Sequence, residues 1–296
     1  MEEVVTLLDL LSLVVAYTFV NGSLYLGMAL GFTITTGVLR IFNLAYGAIF
    51  LIAIYGTWMF WNDLGFGLIE SIILAILLVA AFTYAVYRVV ILKFADLEDY
   101  MLAALVAVFV IVEELIGYAY PEVVGVYVPT MVYTETVPFG VASIPGQYLV
   151  VSLVSLAMLG IYLLFFIKTK NGFIMRAISQ DMVASKLVGV NFNRTFALAM
   201  VIASIPPAIV MLLISPVWAL NPYIGWTVFT YAILVAVLGG LGNLKGSIMA
   251  AYIIGFIQAS VGFLLDPRLM LLVALVVVMA VLIVRPKGLA RAETIW

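Results

Sequence analysis

The stretch Lys168–Thr195, KTKNGFIMRAISQDMVASKLVGVNFNRT, is the one sizeable polar segment in a chain that is otherwise almost continuously apolar. Five cations, Lys168, Lys170, Arg176, Lys186 and Arg194, stand there against one acid, Asp181, giving +4 in a chain of formal net charge -2. The remainder therefore sums to -6. A basic loop between greasy segments lies outside the hydrocarbon, and the positive-inside rule puts it on the cytoplasmic side. The other segments are oriented from it.

Hydrophobic residues make up 67% of the chain and charged residues only 9%, with mean hydropathy +1.29; a soluble domain carries about 25% charged residues. The chain is read as an integral membrane protein. Its apolar runs reach the roughly 18 residues that a membrane-crossing helix needs, and the short alternating segments of a barrel are missing. The expected class is an all-α, polytopic transmembrane bundle. There is no cysteine and no histidine, which excludes disulfides, thiol nucleophiles, haem or zinc ligation by those residues, and Ser-His or Cys-His catalysis. No catalytic residue, metal site, cofactor or nucleic-acid partner is expected. The acidic start MEEVVTLLDL lacks the basic region of a signal peptide, so the first span is expected to be retained.

Hydropathy predicts spans at Leu8–Leu30, Gly37–Trp61, Ile69–Leu92, Met101–Tyr120, Gln147–Ile167, Phe196–Ser215, Ile224–Leu241, Ser247–Leu265 and Leu269–Val284. Alternating outward from the basic loop, the inner connections hold Arg40, Arg88, Lys93, Lys245, Arg285, Lys287 and Arg291, and only Arg268 falls outside. That places twelve of the thirteen cations on one side, with the N-terminus outside and the C-terminus in the cytoplasm. A re-entrant or broken helix at a Gly-rich stretch reduces the count from nine to eight.

The outer connection Pro121–Gly146 carries Pro121, Pro129, Pro138 and Pro145 with Glu122 and Glu135 and no cation, and reads as an ordered acidic cap. Trp58, Trp61, Tyr118, Tyr120, Trp218, Tyr223 and Trp226 lie near the predicted outer ends. They are expected to anchor helices at the interface and nothing more. No repeat or linker divides the chain, so residues 1–296 are read as one membrane domain.

Within the basic loop, Phe173–Val188 is predicted as a short helix, with Asn171 available to cap its start and Gly189 able to take the left-handed turn that ends it. Ile174, Ile178 and Met182 then share a face, and Asn193 is available to cap the next span. Two readings stand: a solvated amphipathic helix on the headgroups, or a docking helix for a cytoplasmic partner.

The run RAISQDMVASKLVGVNFNRT resembles the cytoplasmic coupling loop of the permease family that contains branched-chain amino acid ABC importers. Asp181, Ala184, Leu187 and Gly189 stand where that motif expects them, while Val183 replaces the usual Glu. Gly37–Tyr55, GVLRIFNLAYGAIFLIAIY, is similar to the family's stretch built on Arg and Asn-Leu-Ala-His-Gly, with Tyr46 in place of His. Ala236–Gly255, AVLGGLGNLKGSIMAAYIIG, resembles its Gly-rich stretch, and Arg285–Leu289, RPKGL, its terminal motif. The four matches keep their order from Gly37 to Leu289.

Gly239, Gly240, Gly242 and Gly246 are structural glycines by this reading: no strand precedes them and no Gly-Lys-Ser/Thr follows, so they suit a tight turn and close helix packing better than a phosphate cradle. Asn43, Tyr46 and Gly47, preceded by Thr33, Thr35 and Thr36, place polar groups inside an apolar span. Such groups face protein or a water-filled path; helix-helix hydrogen bonding and a broken helix beside a translocation pathway are equally open. Glu113 and Glu114 lie beyond the midplane, roughly 18–20 Å along their helix from Met101. They either line an outer vestibule that attracts a substrate ammonium or reach the outer interface, and their depth favours the interface.

The resemblance implies a multi-pass permease of the prokaryotic plasma (inner) membrane. Its implied partners are two cytoplasmic ABC ATPase subunits, a homologous permease, an external substrate-binding protein and membrane lipid. Coupling to the ATPases falls on Ile174, Ile178, Asp181, Met182, Ala184, Leu187 and Gly189. A urea or sugar permease of the same superfamily is the nearest alternative. A stand-alone secondary transporter or channel is the rival from another class, with Glu113 and Glu114 its only candidate coupling carboxylates.

Overall fold

The computed structural model describes residues 7–121, 125, 127–129, 132–139, 142–219 and 221–290. The acidic start with Glu2 and Glu3, Glu122 of the outer loop and Arg291 lie outside the described residues. Among the described residues eleven α-helices follow in order: α1 Leu7–Ile34, α2 Tyr46–Trp58, α3 Leu68–Val86, α4 Glu98–Ala119, α5 Gly146–Lys168, α6 Lys170–Gln180, α7 Met182–Leu187, α8 Phe192–Ile214, α9 Ile224–Gly239, α10 Leu244–Leu264 and α11 Met270–Val284. Five-residue π-helical turns extend the ends of α1, α2 and α3, at Thr35–Leu39, Met59–Asp63 and Tyr87–Ile91.

Seven helices among the described residues are long and apolar enough to cross a bilayer: Asp9–Leu39, Leu68–Ile91, Glu98–Ala119, Gly146–Lys168, Phe192–Ile214, Leu244–Leu264 and Pro267–Val284. The other two expected spans are shorter. α2 has 13 residues and α9 has 16, about 20 and 24 Å at 1.5 Å per residue, against a hydrocarbon core of about 30 Å. Both are nevertheless among the most buried elements, so protein rather than lipid surrounds their ends. This is the condition under which irregular backbone is tolerated at membrane depth.

The boundary between the first two spans also moves. The first apolar helix runs on to Leu39 rather than ending near Leu30. It stops at Arg40, whose φ of 56° is the one left-handed non-glycine backbone among the described residues. The chain then turns on Asn43, whose Oδ1 accepts from the Ala45 N–H at 3.1 Å while its carbonyl accepts from Tyr46 N at 3.2 Å. That turn launches α2.

α1 is the centre of the bundle, packing against α5, α8, α9 and α10. Leu26, Met28, Ala29, Leu30 and Phe32 on it are fully buried. Its contact with α10 is close because both helices present glycine: a Cβ on Gly255 would sit 2.6 Å from the backbone nitrogen of Gly22. Small residues give such close approach, and dispersion over it stabilises helix pairs where lipid supplies no hydrophobic drive. α11, with only 11% of its apolar window buried, lies at the periphery.

The connection between α4 and α5 contains a short antiparallel hairpin, β1 Thr136–Phe139 paired with β2 Ala142–Pro145, with Val137 opposite Ile144. A two-stranded element is the exception to the all-helical expectation. It is held down because Gln147 Oε1 accepts from Val132 N while its Nε2 donates to the Leu213 carbonyl at 2.6 Å, satisfying a helix-end carbonyl of α8.

Candidate functional site

The bundle has two chemically different ends. At one, Arg40 Nη2 donates to the Ser179 carbonyl at 3.0 Å, Gly242 lies against Gly37, and the C-terminal segment docks on the end of α9. At the other, the Tyr120 hydroxyl donates to Asp63 Oδ2 at 2.7 Å and Gln147 ties α5 to α8. The basic loop belongs to the first.

That loop is an elbow of two helices rather than one. Thr169 caps α6, its Oγ1 accepting from Gly172 N at 3.0 Å while donating to the Phe165 carbonyl at 2.8 Å. Gly172 is required there: a Cβ would fall 2.4 Å from the Phe165 carbonyl oxygen. Asp181 breaks the helix, because its backbone is extended (φ -143°, ψ 103°) and its Oδ1 caps α7 by accepting from Ala184 N at 2.9 Å. A side-chain acceptor that replaces a missing helical partner is what an N-cap provides. Gly189 takes φ +81° just past α7, and Asn191 caps α8 by accepting from Arg194 N at 3.1 Å. The caps are therefore Thr169, Asp181 and Asn191, and the expected Asn171 and Asn193 caps are not used.

The break redistributes the faces. Ile178 and Met175 are fully buried, and Met175 packs with Ile34, Val38, Tyr162, Phe166, Ala199 and Ala203. They root the elbow in the bundle. Ile174 and Met182 are partly exposed, and Ala184 is exposed; the shared Ile174, Ile178 and Met182 face does not survive the turn at Asp181. The outward surface is instead Phe173, Val183, Leu187 and Val188, the last two more than 80% exposed. Four apolar side chains thus stand exposed at the polar end of the bundle.

The second expected cluster lies at the bundle centre. Tyr46 is fully buried, and its hydroxyl donates to the Met28 carbonyl at 2.9 Å. Its ring meets Phe32, Phe50 and Phe229. Gly47 lies under the Phe109 ring, which a Cβ would meet at 2.3 Å. Asn43 is spent on the turn that starts α2. Aromatic side chains fill this junction between the two short helices.

Glu113 and Glu114, adjacent in sequence, part company. Glu113 is 5% exposed and accepts from Trp226 Nε1 at 2.6 Å, so it is turned into the protein. Glu114 is exposed. Trp226 correspondingly does more than anchor α9: its ring also lies 4.5 Å from that of Phe109.

The glycines form a three-way junction. Gly239 and Gly246 touch so closely that a Cβ on Gly246 would sit 1.9 Å from the Gly239 carbonyl oxygen. Gly240 and Gly242 have φ of 100° and 76°, which disfavours any side chain. The amides of the turn are already engaged, Gly246 N with Asn243 Oδ1 at 2.9 Å and Asn243 N with the Gly240 carbonyl at 2.9 Å. The RPKGL segment and the Ala290 that follows it complete the junction, as Leu289 N and Ala290 N donate to the carbonyls of Leu238 and Gly239 at 2.8 and 3.2 Å. These carbonyls are helix-end acceptors that would otherwise lack partners.

One feature of the bundle escaped the sequence reading. α8 carries Pro206 and Pro207 within its span, and proline removes the N–H that would bond to the carbonyl four residues earlier. The two carbonyls released are those of Ile202 and Ala203. The Tyr162 hydroxyl donates to the first, and the second abuts Gly31, where a Cβ would fall 1.8 Å from the oxygen. The adjacent prolines were the available signal.

Residues 14–282 match the family described as branched-chain amino acid transport system / permease component. The chain is 24% identical over 294 residues to the high-affinity branched-chain amino acid transport system permease protein LivH of Escherichia coli K12, covering 92% of this chain and 93% of that protein. It is 26% identical over 291 residues to BraD of Pseudomonas aeruginosa, a permease protein of the same description, with the same coverage. It is 25% identical over 287 residues to a probable branched-chain amino acid transport permease protein LivH of Methanocaldococcus jannaschii, covering 90% of this chain and 88% of that protein. The match runs through the buried α1–α2 junction and the Gly-rich turn as well as the exposed elbow, and by it the chain belongs to the permease family of branched-chain amino acid transport systems.

Proposed function

We propose that this chain is the membrane-spanning subunit of an ABC importer for branched-chain amino acids, working as one permease domain and driven by ATPases on separate subunits. The observation that carries the coupling is the α6–α7 elbow: rooted by Met175 and Ile178, capped by Asp181, and presenting Phe173, Val183, Leu187 and Val188 outward. A cytoplasmic ATPase has an apolar surface to grip there, and Val183, where relatives carry Glu, asks for an apolar socket. Two ATPases, a second similar permease and an external binding protein complete the importer. The basic end faces the cytoplasm, as the positive-inside rule requires.

Motion of the elbow reaches the pathway through Arg40. This residue stands at the break between α1 and α2 and holds the Ser179 carbonyl of α6, so a tilt of α6 pulls on the turn that launches α2. The buried junction of Tyr46, Gly47, Phe109, Glu113 and Trp226 is the closed pathway in this conformation, and alternating access opens it. Substrate selection lies mainly with the external binding protein.

The test is ATP-dependent uptake by the assembled complex in proteoliposomes. Leu187→Asp is expected to abolish uptake and ATPase co-purification while the chain stays in the membrane. Normal uptake by Leu187→Asp would refute the docking role. Retention of urea or a sugar, but no branched-chain amino acid, by the binding protein would refute the substrate.

A further inference from the structure

We propose that the crevice between the basic ends of α3 and α8 binds the headgroup of an anionic phospholipid. A cavity of about 480 Å³ opens there, lined by Tyr84, Arg88, Asn191, Asn193, Arg194 and Ala197. Two guanidinium groups and two amides face it, and among the described residues no carboxylate lines it. Among the described residues neither the Arg88 nor the Arg194 side chain has a hydrogen-bond or ion-pair partner. Asn191 commits its oxygen to the Arg194 amide and keeps its amide donors. A planar guanidinium presents paired donors that suit phosphate oxygens.

The surroundings choose a lipid over a free anion. Arg88 lies in the last turn of a membrane-spanning helix that ends at Ile91, about 5 Å from its end, which is headgroup depth. Leu77, Ala81 and Tyr84 precede it at spacings of four, three and four, so all lie on one helical face. All three are exposed. On α8, Ala197 and Val201 continue from Arg194 at three and four residues and are partly exposed. An apolar stripe thus runs from the cationic crevice into the hydrocarbon on both walls. A lipid uses both parts: its phosphate between the guanidinium groups and an acyl chain along the stripe. Basic pockets between helices at the membrane surface recognise anionic headgroups in this way. This inference needs only that the helices span a membrane, and stands apart from the identity of the transported substrate.

Native mass spectrometry of the full chain in mild detergent, titrated with phosphatidylglycerol or phosphatidylcholine, tests it. Phosphatidylglycerol is expected to be retained about tenfold more tightly, since two surface cations attract an anionic headgroup. Arg88→Gln with Arg194→Gln is expected to remove that preference, and Arg88→Lys with Arg194→Lys to keep most of it, which separates charge from misfolding. Ala81→Glu is expected to weaken retention with both arginines intact. Unchanged phosphatidylglycerol preference in the double Gln variant overturns the proposal. So does displacement by millimolar inorganic phosphate together with indifference to Ala81→Glu, which assigns the crevice to free anions. Loss of ATPase co-purification in the double Gln variant with lipid retention intact also overturns it, assigning the crevice to a protein carboxylate.

Discussion

The indole Nε1 of Trp226 donates to the Glu113 carboxylate at 2.6 Å, joining the first turn of α9 to the C-terminal half of α4. A buried carboxylate depends on such a donor, since an unpaired buried polar group costs about 1–3 kcal/mol and a charged one more. Trp226→Phe is therefore expected to lower the thermal midpoint of the detergent-purified chain, and Glu113→Gln to change it little. Glu113→Leu placed on Trp226→Phe is expected to recover part of the loss. Equal losses from Trp226→Phe with Glu113 intact and in the Glu113→Leu background would show that the pair does not interact.

The carbonyl of Ile202, released by Pro206, is satisfied by Tyr162. Tyr162→Phe is expected to cost about 1–2 kcal/mol, the range for leaving a buried acceptor unmade. On a Pro206→Ala background the helix supplies its own N–H, and the same substitution is expected to cost much less. A double-mutant cycle on unfolding midpoints reads the coupling, and strict additivity counts against it.

Gly31 packs its Cα on the Ala203 carbonyl, with no room for a Cβ at 1.8 Å. Gly31→Ala has to separate α1 from α8 and is expected to lose at least about 2 kcal/mol, in the range of overpacking. Gly160, with nothing within 4 Å of a Cβ, is the control: Gly160→Ala is expected to be neutral or slightly stabilising. Size-exclusion profiles and midpoints of the two variants decide it.

Asp181 holds the elbow by a side-chain cap, so shape rather than charge is what it contributes. Asp181→Asn keeps the acceptor and is expected to sustain uptake, whereas Asp181→Ala, which loses about 1 kcal/mol of capping, is expected to reduce it severalfold with normal membrane insertion. The reverse order would point to a charge contact with a partner.

Arg40 offers the corresponding test of transmission. Arg40→Gln keeps a donor but shortens the reach to Ser179, and is expected to slow uptake while ATPase co-purification is unchanged. A variant that fails to co-purify instead places Arg40 in the docking surface.

The class of fold and the polar end were legible in the sequence because both follow from local sums. Long apolar runs have to be helical in lipid, where every backbone group needs an internal partner, and Lys168–Thr195 holds its excess of cations whatever the tertiary arrangement. The four ordered motifs were legible too. The fate of individual side chains was not. Glu113 and Glu114 are adjacent, which on a helix is a rotation of about 100°, and only the position of Trp226 on a distant helix decides which of them turns inward.

The same division holds for the segment Lys168–Thr195. Its charge, its helical content and the left-handed turn at Gly189 are written in its own residues. That Ile178 is buried while Leu187 and Val188 stand exposed was decided by the tertiary structure. The extended backbone at Asp181 turns α7 away from the face on which α6 meets Tyr162 and Phe166, and the partners that bury α6 lie on other helices. Likewise, the terminal RPKGL could be matched as a motif, but its task of supplying the Leu289 donor to the carbonyl of Leu238 exists only once α9 ends beside it. Hydrogen-bond satisfaction is a property of pairs, and pairing between segments far apart in the chain is settled by packing.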